Sequence, residues 1–282
     1  MAHPQIAAFA RLAKGSDTPA RTVAGQETKL SRTMHDIRYS ASRDEIFVGN
    51  PFAQAILAFR GDADGNQPPL RIIQGPKTRL IEADTLEIDD VNHEIYVPVR
   101  DDILVFPMDA NGDVAPIRIL HGPNNGWRPG GGIAVDPVHN LLITDATDLN
   151  ANQGEQRDEG RGRNSILIFD RTASGDAKSL RVIRGPHTGL KGIRQMQVYP
   201  KGGWIVVAHI ADGAAPEPQG AFVGIWSIND SGDVPPRWKI DAKSANGLKK
   251  PRGVALNPKT KELIVSDMRL NAVLTYYFPE MF

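Results

Sequence analysis

The sequence predicts an all-β protein, a β-propeller built from four-stranded blades, and three observations support this prediction. A short apolar segment that ends in an aromatic residue recurs six times along the 282 residues. In five of the six cases, a turn and then a strand centred on an arginine follow that segment. No stretch carries a convincing helical spacing of apolar residues. Tandem four-stranded repeats of about 50 residues are typical of propeller blades. The repeats start near residues 6, 56, 103, 166, 223 and 273.

Each repeat is predicted to contribute four short strands rich in Val, Ile and aromatic residues. The third blade illustrates them: GIAVD (132–136) is the first strand, LLITD (141–145) the second, ILIF (166–169) the third and RVIRG (181–185) the fourth. The fourth strands carry an arginine in one register, at Arg21, Arg71, Arg118, Arg181 and Arg237. We expect these arginines to pair with an acid of a neighbouring blade or turn. The alternative is a ring of arginines that binds an anion.

The number of strands favours five blades, with six as the alternative. The pattern contains five first, five second, six third and five fourth strands, so the chain begins and ends on a third strand. Arg21–Ala24 is therefore expected to complete the last blade, which residues 253–267 begin, and so to close the ring. Since an isolated blade cannot bury both of its faces, the repeats are expected to stack into a single domain over residues 1–282.

The third blade resembles the NHL-repeat propellers. In that family GIAVDPVHNLLITDA (132–146) would supply two strands of a blade, and ILIFDR (166–171) the next one. The resemblance covers almost the whole chain and concerns the fold. NHL propellers usually have six blades, whereas the number of strands in this sequence favours five. The family includes enzymes, RNA-binding proteins and protein scaffolds, so the resemblance implies no single function.

Composition excludes several classes of site. The chain has 33 Lys and Arg against 33 Asp and Glu, which argues against a nucleic-acid or anionic-membrane binder. It has no cysteine, hence no disulfide and no thiolate metal site. No apolar stretch is long enough for a transmembrane helix. The compartment and the oligomeric state stay open: a cytoplasmic protein and a periplasmic or secreted one whose leader has been removed would look alike.

Two connections between second and third strands are much longer than the others, at 146–165 and 210–221. They belong to consecutive blades, so we expect them to stand side by side on one face. Long irregular loops on a rigid scaffold often carry binding groups. The first hypothesis is therefore a propeller that binds a small anionic molecule or a protein at this face. The candidate binding residues in the loops are Asp148, Asn150, Glu155, Arg157 and Asp212.

The alternative hypothesis is a metal-assisted lactonase, hydrolase or lyase with its site at the mouth of the central channel. The ends of second strands would supply Asn50, Asp145 and Asp267 as metal ligands, since oxygen ligands of this kind suit Ca²⁺. Zn²⁺ bound by His35 and His209 is less favoured. His209 would otherwise act as a general base. The candidate catalytic and anion-binding residues are His35, His209, Arg194 and Arg252. Gluconolactonase-like propellers use such ligands, but their acidic entry motif is missing here.

The balanced net charge conceals two sectors of opposite sign. Residues 81–120 contain ten acids against two arginines, and residues 185–261 contain eleven Lys and Arg against five acids. The stretch KSANGLKKPR (243–252) is expected on the face that carries the long loops. The basic sector could steer an anionic ligand towards that face.

Overall fold

The computed structural model describes residues 4–32, 36–149, 164–210, 220–243 and 247–282. These residues form strands and single turns of 3-10 helix. The strands are β1 (Gln5–Ala8), β2 (Arg21–Ala24), β3 (Ile37–Ser40), β4 (Glu45–Asn50), β5 (Ala55–Arg60), β6 (Arg71–Gln74), β7 (Glu87–Asp89), β8 (Glu94–Val99), β9 (Asp102–Pro107), β10 (Arg118–His121), β11 (Trp127–Asp136), β12 (Leu141–Asp148), β13 (Asn164–Asp170), β14 (Arg181–Ile183), β15 (Ile193–Tyr199), β16 (Trp204–His209), β17 (Phe222–Ser227), β18 (Trp238–Asp241), β19 (Pro251–Asn257), β20 (Glu262–Asp267) and β21 (Ala272–Tyr277). The 3-10 turns are Gln26–Thr28, Pro51–Ala53, Pro76–Thr78, Pro123–Asn125, Pro186–Thr188 and Pro200–Gly202. The described residues contain no helix with the length and hydrophobicity that a membrane span requires.

The sheets confirm an all-β, five-bladed β-propeller. Blades 1 to 4 are the four-stranded sheets β3–β6, β7–β10, β11–β14 and β15–β18. Blade 5 is the three-stranded sheet β19–β21. Within each blade the strands follow one another in chain order, because every connection is a local antiparallel link.

The N-terminal strands pair differently from the prediction. Arg21–Ala24, expected as the fourth strand of the last blade, pairs with Gln5–Ala8 in a separate antiparallel sheet of two strands. The physical reason is proximity along the chain, since a short connection makes this pairing cheaper in loop entropy than pairing with a distant strand. Among the described residues, blade 5 has no fourth strand.

The chain contains two compact units. Residues 1–99 and 104–119 form the first, and residues 100–103 and 120–282 form the second. The prediction of a single domain over 1–282 stays a prediction. In the first unit, large side chains such as Phe47, Ile56, Leu86 and Phe106 form one apolar cluster. Their burial supplies most of the driving force for packing sheet on sheet.

The second unit has two apolar clusters. One includes Ile143, Ile168, Met196 and Trp226, which join blades 3 and 4, and the other includes Val223 and Val265, which join blades 4 and 5. The first strands β11, β15 and β19 lie beside one another. The starts of these strands are therefore close together within this unit.

The repeated arginines of the fourth strands have mainly structural contacts. Arg71 forms a two-pronged ion pair with Glu45, and Arg118 does the same with Glu94. The acid belongs to the same blade rather than to a neighbouring one. The other three arginines form no such pair with the residues that the structure describes. Arg21 and Arg181 donate to the backbone carbonyls of Gly61 and Ile228, and Arg237 lies over the ring of Trp204.

The acids of the tight turns join successive blades. Asp113 accepts a hydrogen bond from the backbone of Lys77, and Asp233 accepts one from the backbone of His187. Both acids thereby cap the loop that follows the preceding blade's fourth strand. This role goes beyond the local turn formation that an Asp in a Gly-Asp pair predicts.

Candidate functional site

Several predicted site residues lie outside the described residues. They are His35, Asn150, Glu155, Arg157 and Asp212. The loop predicted to begin at 146 begins later, because β12 continues to Asp148 and pairs with β13 as far as Thr147 and Asn164. Asp148 forms an ion pair with Arg184. The remaining site predictions concern the ends of second strands and the starts of first strands.

Three of the four predicted strand-end residues bind their own preceding loops. Asn50, in the first unit, accepts a hydrogen bond from the backbone of Ser31 and donates one to the carbonyl of Lys29. In the second unit, Oδ2 of Asp267 accepts from the backbone nitrogens of Lys249 and Lys250, at 2.8 and 2.9 Å. Backbone donors also occupy the other oxygen of Asp267. These contacts favour a structural role for both side chains.

His209 is held in the same way. Its Nε2 accepts a hydrogen bond from the backbone nitrogen of Lys191, with the two atoms 2.8 Å apart. Its ring stacks on Phe222 with the centroids 4.3 Å apart. Burial lowers the pKa of His209 to about 4. The positive charges of Lys239 and Lys191 also lower this pKa, whereas a hydrogen bond with the backbone of Gly220 raises it. The imidazole is therefore neutral at pH 7 with its Nε2 lone pair occupied. This arrangement favours a structural role, and catalysis by His209 stays a prediction.

The described residues contain no group of three His, Asp or Glu side chains that could hold a metal ion. Asn50 belongs to the first compact unit, whereas Asp145 and Asp267 belong to the second. Metal binding by these three residues stays a prediction.

Asp145 differs from the other strand-end residues. It lies opposite a bulge in β11, where the register with β12 shifts between Pro129 and Ile133. Its Oδ1 accepts a hydrogen bond from the backbone nitrogen of Gly132 at 2.6 Å, and its Oδ2 accepts one from Asn164 at 3.2 Å. Gly130 is required here, because a Cβ at that position would lie 2.0 Å from Oδ2.

The carboxyl of Asp145 is almost completely buried, with 1% of the residue exposed. Burial raises its pKa to about 7, although the hydrogen bonds from Gly132 and Asn164 and the charge of Arg194 act in the opposite direction. A carboxyl group that changes charge near neutral pH is typical of functional sites, and it is also found in structural networks.

Arg194 and Arg252 occupy equivalent positions at the starts of β15 and β19. In both strands a β-bulge shifts the register, between Ile193 and Gln195 in one and between Pro251 and Gly253 in the other. Each arginine is therefore the extra residue of its bulge, with no partner in the register of the neighbouring second strand. A bulge of this kind redirects a side chain and is common beside binding sites.

The two guanidinium groups form no ion pair with any residue that the structure describes. Arg194 is exposed to solvent, yet the surrounding protein lowers its pKa, with the like charge of Arg252 as the second cause and Asp145 opposing both. Arg194 and Arg252 are therefore close enough for their like charges to act on each other, and the buried carboxyl of Asp145 acts on Arg194 in the opposite sense.

Sequence reasoning identified both arginines but not their shared geometry. The signal was present in the chain, since GLKGIR at 189–194 and GLKKPR at 247–252 repeat the same spacing of Lys and Arg. Bulges leave no such direct signal, because they depend on the register of two strands.

Comparison with known proteins supports the fold only. Hydrazine synthase of Kuenenia stuttgartiensis is similar in structure, with a TM-score of 0.54 and 13% sequence identity over 92% of this chain and 67% of that chain. The β-propeller domain of Myceliophteria thermophila Cps50 (Swd1) has a TM-score of 0.44 and 15% identity over 69% of this chain and 50% of its own. No protein-family model and no curated protein matches the sequence. At 13% identity, the likeness to hydrazine synthase concerns the fold and supports no inference about function.

Proposed function

We propose that this protein is a non-catalytic β-propeller that binds a small anionic molecule at Arg194 and Arg252. One observation carries the proposal: two neighbouring arginines lie at equivalent bulges of adjacent first strands, and neither forms an ion pair with a described residue. Like charges held side by side repel each other. An anion bound between them would remove that repulsion.

The chemistry of the side chains fits this proposal. A guanidinium group presents a planar set of N–H donors that matches a carboxylate or phosphate group, and it keeps its charge at any physiological pH. The connections that follow β12 and β16 begin at this same edge, because these strands contain Asp145 and His209 near their ends.

The test is calorimetric titration of the full chain with citrate at constant ionic strength. We expect the Arg194→Gln/Arg252→Gln variant to lose citrate binding while retaining the wild-type circular dichroism spectrum. The matched control is Lys201→Gln/Lys259→Gln, which removes two charges from exposed turns at the opposite ends of the same first strands. Citrate binding that is absent in the wild type, or equal in all three proteins, would refute the proposal.

A second candidate function is hydrolysis of an ester or lactone, as in the metal-assisted alternative. The observation that favours it is Asp145, a buried carboxyl with a pKa of about 7 beside Arg194. A group of this pKa is suited to move a proton at neutral pH. Metal analysis of the purified protein and lactone turnover by wild type, Asp145→Ala and His209→Ala test this candidate. Turnover that survives both substitutions, with no stoichiometric metal, would exclude it.

A further inference from the structure

The same six-residue pattern precedes or opens the first strand in two consecutive blades. GLKGIR (189–194) leads into blade 4 and GLKKPR (247–252) into blade 5, and both have Gly, Leu, Lys and Arg at the same spacing. We call these segments the twin motifs. Their leucines are both buried, since Leu190 is 8% exposed and Leu248 is 1% exposed. Each leucine anchors its motif in the apolar interior.

The backbone of each motif is held by the same device. The amide of Lys191 donates to His209, and the amide of Lys249 donates to Asp267, with a donor–acceptor distance of 2.8 Å in both cases. The acceptor in each blade is the last residue of the second strand. Three residues later, each arginine leaves the β-ladder at its bulge. The two motifs thus share sequence, anchoring and arginine placement.

Four cationic side chains of the motifs, those of Lys191, Arg194, Lys249 and Arg252, form no ion pair within the described ranges. Lys191, Arg194 and Lys249 are exposed, and Arg252 is half-buried. Asp145 is the acid whose charge acts on Arg194, and it is buried on blade 3. Each motif pairs one lysine with one arginine at the same spacing, so the two motifs together offer two cationic pairs.

We infer that the twin motifs bind one ligand that carries two anionic groups, with one group at each Lys-x-x-Arg. This inference rests on the proposed function and specifies its ligand. The amides of Lys191, Lys249 and Lys250 already donate to side chains of the second strands, so recognition would depend on the charged side chains. Guanidinium and ammonium groups donate hydrogen bonds to both carboxylates and phosphates. The shared chemistry is therefore a dicarboxylate or a compound with two phosphate groups.

The experiment compares anions of one and two charged groups by calorimetry at constant ionic strength and pH. The probes are propionate against malonate, succinate, glutarate and adipate, and inorganic phosphate against pyrophosphate. We expect the best-fitting two-group anion to bind at least about tenfold more tightly than its one-group counterpart, because the second contact is intramolecular. A preference for the dicarboxylates or for pyrophosphate identifies which anionic group the motifs accept.

Two variants separate the motifs. Lys191→Gln/Arg194→Gln and Lys249→Gln/Arg252→Gln should each reduce binding of the two-group anion to the level of the one-group anion. The Lys201→Gln/Lys259→Gln control should bind as the wild type does. Equal affinity for one-group and two-group anions in the wild type would overturn this inference and leave the proposed function standing. Wild-type protein that binds none of these anions would overturn both.

Discussion

The side-chain oxygen of Gln195 accepts a hydrogen bond from the backbone nitrogen of Val254, with the two atoms 2.5 Å apart. Gln195 directly follows the bulge at Arg194 in β15, and Val254 lies two residues after Arg252 in β19. The bond therefore joins the first strands of blades 4 and 5 next to both bulges. It thereby ties together the two strand segments that carry Arg194 and Arg252.

Replacing Gln195 by Met should loosen this junction. Met has a similar length but no oxygen acceptor, so the backbone N–H of the buried Val254 would be left without its partner. We expect the free energy of unfolding to fall by about 1–2 kcal/mol. The amide of Val254 should also exchange with solvent faster than in the wild type.

The matched control for that change is Gln195→Glu, which keeps an oxygen acceptor at the same distance along the side chain. Denaturant unfolding and hydrogen exchange of both variants provide the measurement. If the amide of Val254 exchanges at the same rate in Gln195→Met as in the wild type, the hydrogen bond does not hold the two strands together.

Asp145 should make stability depend on pH between about 4 and 7. Burial raises its pKa from the ordinary 3.8 to about 7, so the folded state binds the proton more tightly than the unfolded state does. The resulting stabilisation is complete below pH 4 and is lost as the pH rises through 7. It is on the order of a few kcal/mol, since one pKa unit corresponds to about 1.4 kcal/mol.

The Asp145→Asn variant isolates this effect, because the amide does not titrate while all other groups are retained. Urea unfolding of both proteins from pH 4 to pH 8 measures the difference in unfolding free energy. We expect the wild type to lose stability relative to Asp145→Asn as the pH rises. A difference that stays constant over this range would show that Asp145 titrates normally.

The fourth-strand arginines should differ in their contribution to stability. Arg71 forms its two-pronged pair with Glu45, and the two side chains are only 17% and 9% exposed. Arg181 instead donates to the backbone carbonyl of Ile228 at 2.8 Å. We expect Arg71→Gln to cost about 2 kcal/mol, because the mostly buried carboxylate of Glu45 loses its two-pronged partner and keeps only the ion pair with Arg43. We expect Arg181→Gln to cost about 1 kcal/mol or less.

Chemical denaturation of both variants checks this difference. The Glu45→Gln/Arg71→Gln double variant serves as the internal control, since it removes both charges and should recover part of the loss. Equal destabilisation by the two single substitutions would mean that the ion pair of Arg71 with Glu45 contributes no more to stability than the backbone hydrogen bond of Arg181.

Much of the fold was predictable because its signals are local. Arg71, Arg118 and Arg181 each begin the fourth strand of a blade, as the repeated arginine pattern predicts. Alternation of apolar and polar residues and the turn residues between strands depend on near neighbours in the chain. Strand number therefore led to the five blades that the structure has.

The candidate site was predictable in composition but not in arrangement. Asn50, His209 and Asp267 looked like converging ligands, because each ends a second strand. In the structure each of these side chains instead faces a backbone N–H of its own blade's loop. Sequence position places a residue at an edge of a sheet, but the direction of its side chain depends on the loop packed against it.

The amino-acid sequence alone was enough to predict the all-β class and the repeats, to favour five blades over six and to indicate the charged residues near the loop-bearing edge. The tertiary structure decided the pairing of Arg21–Ala24 with Gln5–Ala8 and the burial of Asp145. It also decided that Arg194 and Arg252 lie at β-bulges. The physical reason is that periodicity and turn chemistry act between residues close in the chain. Register, bulges and desolvation depend instead on which distant strands meet.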